Sequence, residues 1–379
     1  MLAVAIVGGG PVGLALALML RRAGIDCEVL DARPSAAADR DRRVLALSHG
    51  SRQIIERLDA WQPIGATPIE SIHVSQQGRL GRTLIRAQEA GVPALGYVAE
   101  AGVLWASLAQ ACAQANVAIR HEMRVTGTEA GTDHALLHCT TPQGSDDIPA
   151  QLIAWAEGAV SGEDDIVRRD YGQQAIVATV QTREPPAGIA YERFTAGGPV
   201  ALLPLGDRYA LAWTVPDAES AGLLALGERA FLSRLHAIFS GRLDFTAASD
   251  RTAFPLGLRY RDTPVAERAV WLGNAAQTLH PVAGQGFNLA LRDVSQLARL
   301  LQQGPADCGS AALLARHAAA RQLDRRGAIG FTDGLVRFFG LRGRLAGHAR
   351  GAGLLALDLL PAARRFLAQR MIFGARAWP

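Results

Sequence analysis

The sequence predicts an α/β protein. A parallel-sheet domain opened by a β-α-β unit is interleaved with a mixed β-sheet domain and followed by a helical C-terminal region. Three observations predict this. The apolar run Leu2–Val7 leads through a glycine-rich turn into a helical pattern, and a second strand-like run follows at Cys27–Leu30. The middle of the chain alternates apolar and polar residues between Gly and Pro, the period of half-buried strands. The end of the chain is rich in Ala, Leu and Arg, with helical spacing. A length of 379 residues exceeds what one core usually holds, so two domains are expected. With 49% apolar and 20% charged residues, the chain is a folded globular protein, not a disordered one.

Taken in order, residues 2–7 read as a buried parallel strand, 11–23 as a helix and 27–30 as the second strand. The apolar stretch 14–20 ends at Arg21-Arg22 and is a buried helix, since a membrane span takes ~20 residues. Residues 50–60 have a helical pattern. Residues 68–100 read as strands of a second sheet, and 101–115 as a return helix. Strands around 117–155 lead back to the first domain. Further strands are expected at 175–180, 200–205 and 209–215, and then a helix over roughly 218–240. Residues 269–273 form a short apolar strand, 286–301 a helix, and 308–379 a mostly helical stretch with Gly breaks. Without a repeat or a long linker, the two domains interleave. Residues 1–70, 101–170 and 266–310 are expected to form the first, residues 71–100 and 171–265 the second, and 311–379 the helical region.

Composition excludes several chemistries. A net charge of +4, with no basic run interleaved with aromatics, gives no footprint for nucleic acid. Every basic residue is Arg and no Lys occurs, so Schiff-base lysines and the phosphate lysine of P-loops are absent. Cys27, Cys112, Cys139 and Cys308 are scattered, which suits a reducing compartment better than a disulfide framework. No metal site is expected: His134, His138 and Cys139 read as polar positions of a hairpin. The N-terminus opens directly on a strand, without the basic leader of a signal peptide. The expected location is cytoplasmic.

The front motif is Gly8-x-Gly10-x-x-Gly13, between a strand and a helix. The first glycine permits a tight turn, the second lets a phosphate approach the backbone, and the third lets helix and strand pack closely. Backbone N–H groups at the helix start would hold a pyrophosphate. Asp31 closes the second strand, 23 residues after Gly8, where a carboxylate suits a ribose 2′-hydroxyl and repels a 2′-phosphate. The fold is therefore Rossmann-like and its nucleotide is FAD or NAD. The motif alone leaves that choice open.

The back motif, residues 273–289, is more specific. Gly273-Asn274 follows a strand. His280-Pro281 breaks regular structure, and Gly284-Gln285-Gly286 exposes backbone before a helix with Asn288 in its first turn. A helix N-terminus there would favour a nearby anion by ~0.3–2 kcal/mol, and the glycines would let backbone lie against a flat ring.

Together these motifs carry a resemblance. The chain resembles the class A FAD-dependent aromatic hydroxylases, whose fold is that of para-hydroxybenzoate hydroxylase, and within them the ubiquinone-biosynthesis branch of 2-octaprenyl-6-methoxyphenol hydroxylases. Further matches are Arg43-Val44-Leu45-Ala46-Leu47, Ile72-His73-Val74-Ser75, Tyr191-Glu192-Arg193-Phe194-Thr195 and Thr332-Asp333-x-Leu335-Val336, so the likeness covers almost the whole chain. It implies that the first domain binds FAD and that the mixed sheet is the substrate domain. Gly8, Gly10, Gly13 and Asp31 would bind the ADP half, and Arg43 the ribityl or pyrophosphate region. Gly273, Asn274 and Asn288 would join the cofactor site, and Pro281, Gly284 and Gly286 would line the isoalloxazine. Two positions depart from the family. Its Asp-Gly pair is Glu157-Gly158 here, and Gly102 stands where many relatives have a polar flavin contact.

The resemblance also implies the chemistry: NADH or NADPH reduces FAD, and O2 is used to hydroxylate the ring of a polyprenylated phenol. No side chain announces itself as the phenol base; His280 beside Pro281 is the candidate on the flavin side. Trp213 lies in a segment that resembles a flavin halogenase motif, but that chemistry needs a lysine, so Trp213 reads as core. A polyprenyl substrate suggests contact with the inner face of a membrane. Residues 321–379 hold 11 Arg against 3 Asp, and Arg342, Arg344, Arg350, Arg364, Arg365 and Arg370 alternate with apolar segments. Each Arg near an anionic leaflet contributes ~1 kcal/mol. The same basic region could instead dock other ubiquinone-biosynthesis proteins. Two alternatives stay open: a flavin reductase acting on prenyl chains, and a non-catalytic flavin-fold scaffold subunit.

Overall fold

The computed structural model describes residues 1–34, 41–160, 165–340 and 343–375. Among them the first sheet has eight strands. Its spine is parallel, in the order Ala269–Trp271, Gly144–Trp155, Leu2–Val7, Cys27–Leu30, Ala118–Arg120. Helices cover such a sheet, so its strands are continuous apolar runs rather than alternating ones. Gly144–Trp155 shows both regimes. Its polar first half hangs in a meander with Ala135–Thr141 and Arg124–Ala130, and its apolar second half pairs with Leu2–Val7. Helices Pro11–Arg22 and Gln285–Leu301 pack on this sheet through Leu14, Leu18, Leu291, Val294 and Leu297, all within one buried core.

The second sheet has nine strands among the described residues. Its central run is Thr252–Arg261, Ile166–Thr182, Arg208–Pro216, Pro199–Leu205, Ile189–Phe194 and Ser71–Gln76. One face is buried: Ile176, Val200, Leu202, Leu211 and Trp213 pack with Phe231 and Leu235 of the helix Glu228–Phe239. The Trp213 and Phe231 ring centroids are 5.5 Å apart, which places Trp213 in the core as expected. The chain crosses between the sheets just where the back motif lies, since Ala269–Trp271 belongs to the first sheet and Gln277–Thr278 pairs with Arg259 and Tyr260 of the second.

Several expected elements have different limits. Residues 68–100 do not all join the second sheet. Thr67–Ile69 and Gly96–Glu100 form a separate small sheet with Val44–Ser48, and Ala87–Ala90 is a helical turn. The helix expected over 50–60 ends at Glu56, because Asp59 adopts a left-handed φ of 56° in the turn that follows. The helix expected over 218–240 is two, Asp217–Leu224 and Glu228–Phe239, with Gly227 at the second N-cap. At the C-terminal end, the 30-residue helix Ala311–Gly340 runs through Gly327, Gly330 and Gly334, and the breaks fall near 343 and at the Leu360-Pro361 joint. Arg342 and the side chain of Arg344 lie outside the described residues.

Candidate functional site

The motifs converge on the C-terminal ends of three adjacent parallel strands. Val7, Trp155 and Trp271 stand in register across Leu2–Val7, Gly144–Trp155 and Ala269–Trp271. The chain continues from them into Gly8, Ala156-Glu157-Gly158 and Leu272-Gly273-Asn274. Backbone bonds from Ala156 N to Val7 O and from Leu272 N to Trp155 O, both 2.8 Å, hold the three turns side by side. A crevice outside the carboxyl ends of parallel strands is where α/β folds bind nucleotides.

Each glycine of the front motif has its own reason. Gly8 sits at φ +111°, and a Cβ there would stand 2.8 Å from Ala156 O. At Gly13 a Cβ would fall 2.0 Å from Gly8 O. Gly10 differs: it caps the helix with an ordinary φ of −76°, and a Cβ would meet nothing within 4 Å. Gly10 therefore keeps open space beside a helix start that no side chain caps. Trp105, on the helix Ala101–Gln114, donates from Nε1 to Gly9 O at 2.8 Å and fixes the turn.

The back motif seats against the front one. Gly273, at φ +58°, leaves room for Val12 and Ala290, since a Cβ would lie 3.1 Å from Val12 Cγ2. Asn274 is exposed and its Nδ2 donates to Gly158 O at 3.3 Å, joining the second and third turns. Pro281 is exposed as well. Gly284, at φ +59°, is the N-cap of Gln285–Leu301, and again no side chain caps that helix. A Cβ at Gly286 would meet nothing within 4 Å. Asn288 is turned inward: its Oδ1 accepts from Ser48 N and Ser51 Oγ, both at 2.7 Å, and its Nδ2 donates to Ala46 O and Gly284 O. That amide is fully used in holding the loop to the strand Val44–Ser48.

Two charged residues are already paired. Asp31 lies against Gly9, but both its oxygens accept from Arg33, Oδ1 from Nε at 3.1 Å and Oδ2 from Nη2 at 2.8 Å. Sequence reasoning missed Arg33, although its place two residues beyond the acid was the available signal. The guanidinium of Arg43 is exposed and paired with Asp41 at 2.6 Å. Its segment is fixed to the start of Ala101–Gln114 by Ala101 N to Arg43 O and Gly102 N to Asp41 O, at 2.7 and 2.8 Å. Gly102 thus serves the loop through its backbone. Partial burial raises the Glu157 carboxyl, and Arg124 opposes the rise.

His280 is 1% exposed. Its Nδ1 accepts from Val282 N at 3.1 Å, so the neutral ring carries its proton on Nε2, which finds no partner among the described residues. Burial pulls its pKa down to about 4. The ring stands edge-on to Tyr171 of the second sheet, 5.6 Å between centroids, and Tyr171 donates to Asp333 at 3.0 Å. Asp333 belongs to the long C-terminal helix and also holds Arg169. A second tie lies deeper. Gln277 bridges Asp293 at 3.0 Å and Arg325 at 2.8 Å, beside the buried Arg292–Asp324 and Asp293–Arg321 pairs. The 273–289 loop is thus braced by both sheets and by the C-terminal helix.

These residues fit an FAD. Two helix starts without side-chain caps offer backbone N–H groups to anionic parts of the cofactor. The open spaces at Gly10 and Gly286 are ones a side chain would fill. A family model described as FAD binding domain matches residues 1–329. Among curated proteins, the chain is 32% identical to ubiquinone hydroxylase UbiL of Rhodospirillum rubrum, over 97% of this chain and 89% of that one. It is also 32% identical to 3-demethoxyubiquinol 3-hydroxylase of Escherichia coli, over 79% of each. Among solved structures, p-nitrophenol 4-monooxygenase PnpA from Pseudomonas putida superposes with a TM-score of 0.75 over 98% of this chain and 97% of that one, at 16% identity.

Proposed function

The chain belongs to the FAD binding domain family, alongside the flavin hydroxylases of ubiquinone biosynthesis, and on that premise we propose that it uses NADH or NADPH and O2 to hydroxylate the ring of a polyprenylated phenol. The observation that carries this reading is the meeting of Gly8, Glu157-Gly158 and Gly273-Asn274 at three neighbouring strand ends, between two helix starts that no side chain caps. Bound there, FAD supplies electron transfer from the nicotinamide and the activation of O2. The protein binds and orients. The start of Pro11–Arg22 would hold the pyrophosphate, with Asp31 close to Gly9 for the ribose. Gly273 and Asn274 would carry the middle of the cofactor, and Pro281, Gly284 and Gly286 its ring. His280, neutral and buried, sets the shape of that loop.

The ring of the substrate would lie between this loop and the second sheet. The second sheet then serves as the substrate domain, and the first sheet with the helices packed on it as the cofactor domain, so the expected boundary at 170 moves to the start of the strand Ile166–Thr182. For the tail, no helix among the described residues is long and apolar enough to cross a membrane. Leu355, Leu359, Leu360 and Phe366 are instead exposed on the C-terminal helices, where they would rest on a bilayer surface. The test is a turnover assay on purified protein with a prenylated phenol, NAD(P)H and ¹⁸O2. One labelled oxygen in the ring is expected. Nicotinamide oxidation without a hydroxylated product would assign a reductase instead.

A further inference from the structure

The strand Ile189–Phe194 sends alternate side chains to opposite faces of the second sheet. Tyr191 stands 6.1 Å from the Phe239 ring, and Arg193 donates to Ile238 O, so both face the helix Glu228–Phe239. Ala190, Glu192 and Phe194 face the other way. Ala190 packs with Ile69 and Val98, and Phe194 stacks on Phe339 of the C-terminal helix. Tyr171, which reaches His280, lies on the second sheet as well.

The row across the sheet at Glu192 runs Val74, Glu192, Ala201, Ala212, Val177. All five are only partly buried, whereas Ile176, Leu202, Leu211 and Trp213 on the opposite face are fully packed. The inner face is thus less tightly packed along this row, and the two alanines beside Glu192 leave its side chain without bulky neighbours on that strand pair. Into this apolar wall the chain puts one carboxyl. Its Oε1 is shielded from solvent and has no hydrogen-bond partner among the described residues. An unpaired carboxylate in such a place costs stability, and service to a ligand is what accounts for keeping it.

Resting on the proposed hydroxylation, we propose that Glu192 is the catalytic base that accepts the hydrogen bond of the substrate's phenolic hydroxyl and takes its proton as the ring is attacked. The phenolic O–H bond breaks, a carboxylic O–H bond forms, and the electron pair left on oxygen enriches the ring carbon that receives the new oxygen. The proton returns to solvent after turnover. Burial pushes the Glu192 carboxyl up to about 7, where a group can both take and release a proton near neutrality. The charged groups on surrounding elements are engaged elsewhere. Arg193 turns to the opposite face, and Arg242 is on His73. Arg52 is on Glu56, Asp333 holds Arg169 and Tyr171, Arg350 reaches the carbonyls of Phe338 and Phe339, and His280 is neutral.

The test compares wild type with Glu192→Gln and Glu192→Asp, using a short-chain prenylated phenol. Both variants should bind FAD and melt as wild type does, which shows that they fold. In wild type, kcat should rise with pH through about 7. Glu192→Gln should lose that limb and fall about 10²–10⁴-fold, with Glu192→Asp in between. An analogue with an electron-withdrawing ring substituent, already ionised at the assay pH, should recover most of the loss in Glu192→Gln. Hydroxylation by Glu192→Gln with wild-type kcat and pH profile would overturn the role of Glu192 alone. A wild type that makes no hydroxylated phenol would overturn the functional reading and this role with it.

Discussion

At Gly10 and Gly13, three residues apart, an added methyl meets opposite surroundings. Gly13→Ala would drive a Cβ to 2.0 Å from Gly8 O, a backbone atom that cannot step aside, so the loss should appear as stability or as failure to fold. Gly10→Ala meets no protein atom within 4 Å and keeps an allowed φ of −76°. Its stability without cofactor should change by less than about 0.5 kcal/mol, while FAD affinity falls at least about tenfold, or ~1.4 kcal/mol. Gly286→Ala should behave like Gly10→Ala. Thermal melts of apoprotein and flavin fluorescence titration separate the two classes, and a Gly10→Ala protein with wild-type FAD affinity would refute the cradle. The three glycines and their turn were legible because each answers to local geometry. Pairing was not. Arg33 on Asp31 and Asp41 on Arg43 depend on where a flexible guanidinium settles, and two-residue spacing says little about that. In the sequence Glu192 is one residue of the segment Tyr191–Thr195, with nothing to mark it out. Its isolation depends on strands distant in sequence.

One amide joins three elements at the level above. Asn288 ties the start of Gln285–Leu301 to Val44–Ser48 and to the helix His49–Glu56 through four hydrogen bonds. Ser48, which also caps that helix by accepting from Ser51 N at 3.2 Å, belongs to the same cluster. Asn288→Ala leaves buried donors and acceptors unpaired on two elements, and should cost about 3 kcal/mol. Excess FAD should recover part of this, because the cofactor would bind the folded arrangement only. Urea unfolding with and without FAD measures both effects, and a cost below about 0.5 kcal/mol would show that water replaces the clasp. The elements themselves were legible where the apolar period was strong, as in Leu2–Val7, Ala101–Gln114 and Gln285–Leu301. They were not where sheet membership decides. Thr67–Ile69 and Gly96–Glu100 alternate like their neighbours, yet Gly96–Glu100 pairs with Val44–Ser48 on one side and with Thr67–Ile69 on the other, a choice set by long-range register that the local pattern does not carry.

The whole molecule carries two properties that no single element holds. His73, His280 and His317 are buried, and burial holds each at about 4, with Arg242 adding to the effect at His73. Their ordinary value is 6.5, so between about 4 and 6.5 the unfolded chain binds protons that the folded one refuses. Stability is therefore full above that window and lost as pH falls through it, by up to roughly 3 kcal/mol for each ring. Urea midpoints should drop steeply between pH 6.5 and 4, and His317→Leu should flatten the drop by about one proton; a flat wild-type profile would contradict this. The second property concerns the membrane face. A basic tail suggests attachment by charge, but the structure occupies much of that charge internally. Arg364 is buried on Glu89, Arg350 reaches the carbonyls of Phe338 and Phe339, and Arg370 donates to Ala375 O. Arg326, Arg337 and Arg365 stay exposed, and with them an apolar set: Leu355 and Leu359 one turn apart, Leu360 at the helix joint and Phe366 beyond it, between 51% and 70% exposed. Fully burying one such side chain is worth ~1.5–3 kcal/mol, more than a lone arginine gives near an anionic leaflet, ~1 kcal/mol. Binding to vesicles should therefore survive high salt. Leu359→Glu with Phe366→Glu should weaken it at least about tenfold, while turnover of a short-chain phenol in detergent stays unchanged. Binding that disappears in salt and ignores the double substitution would return the role to the arginines.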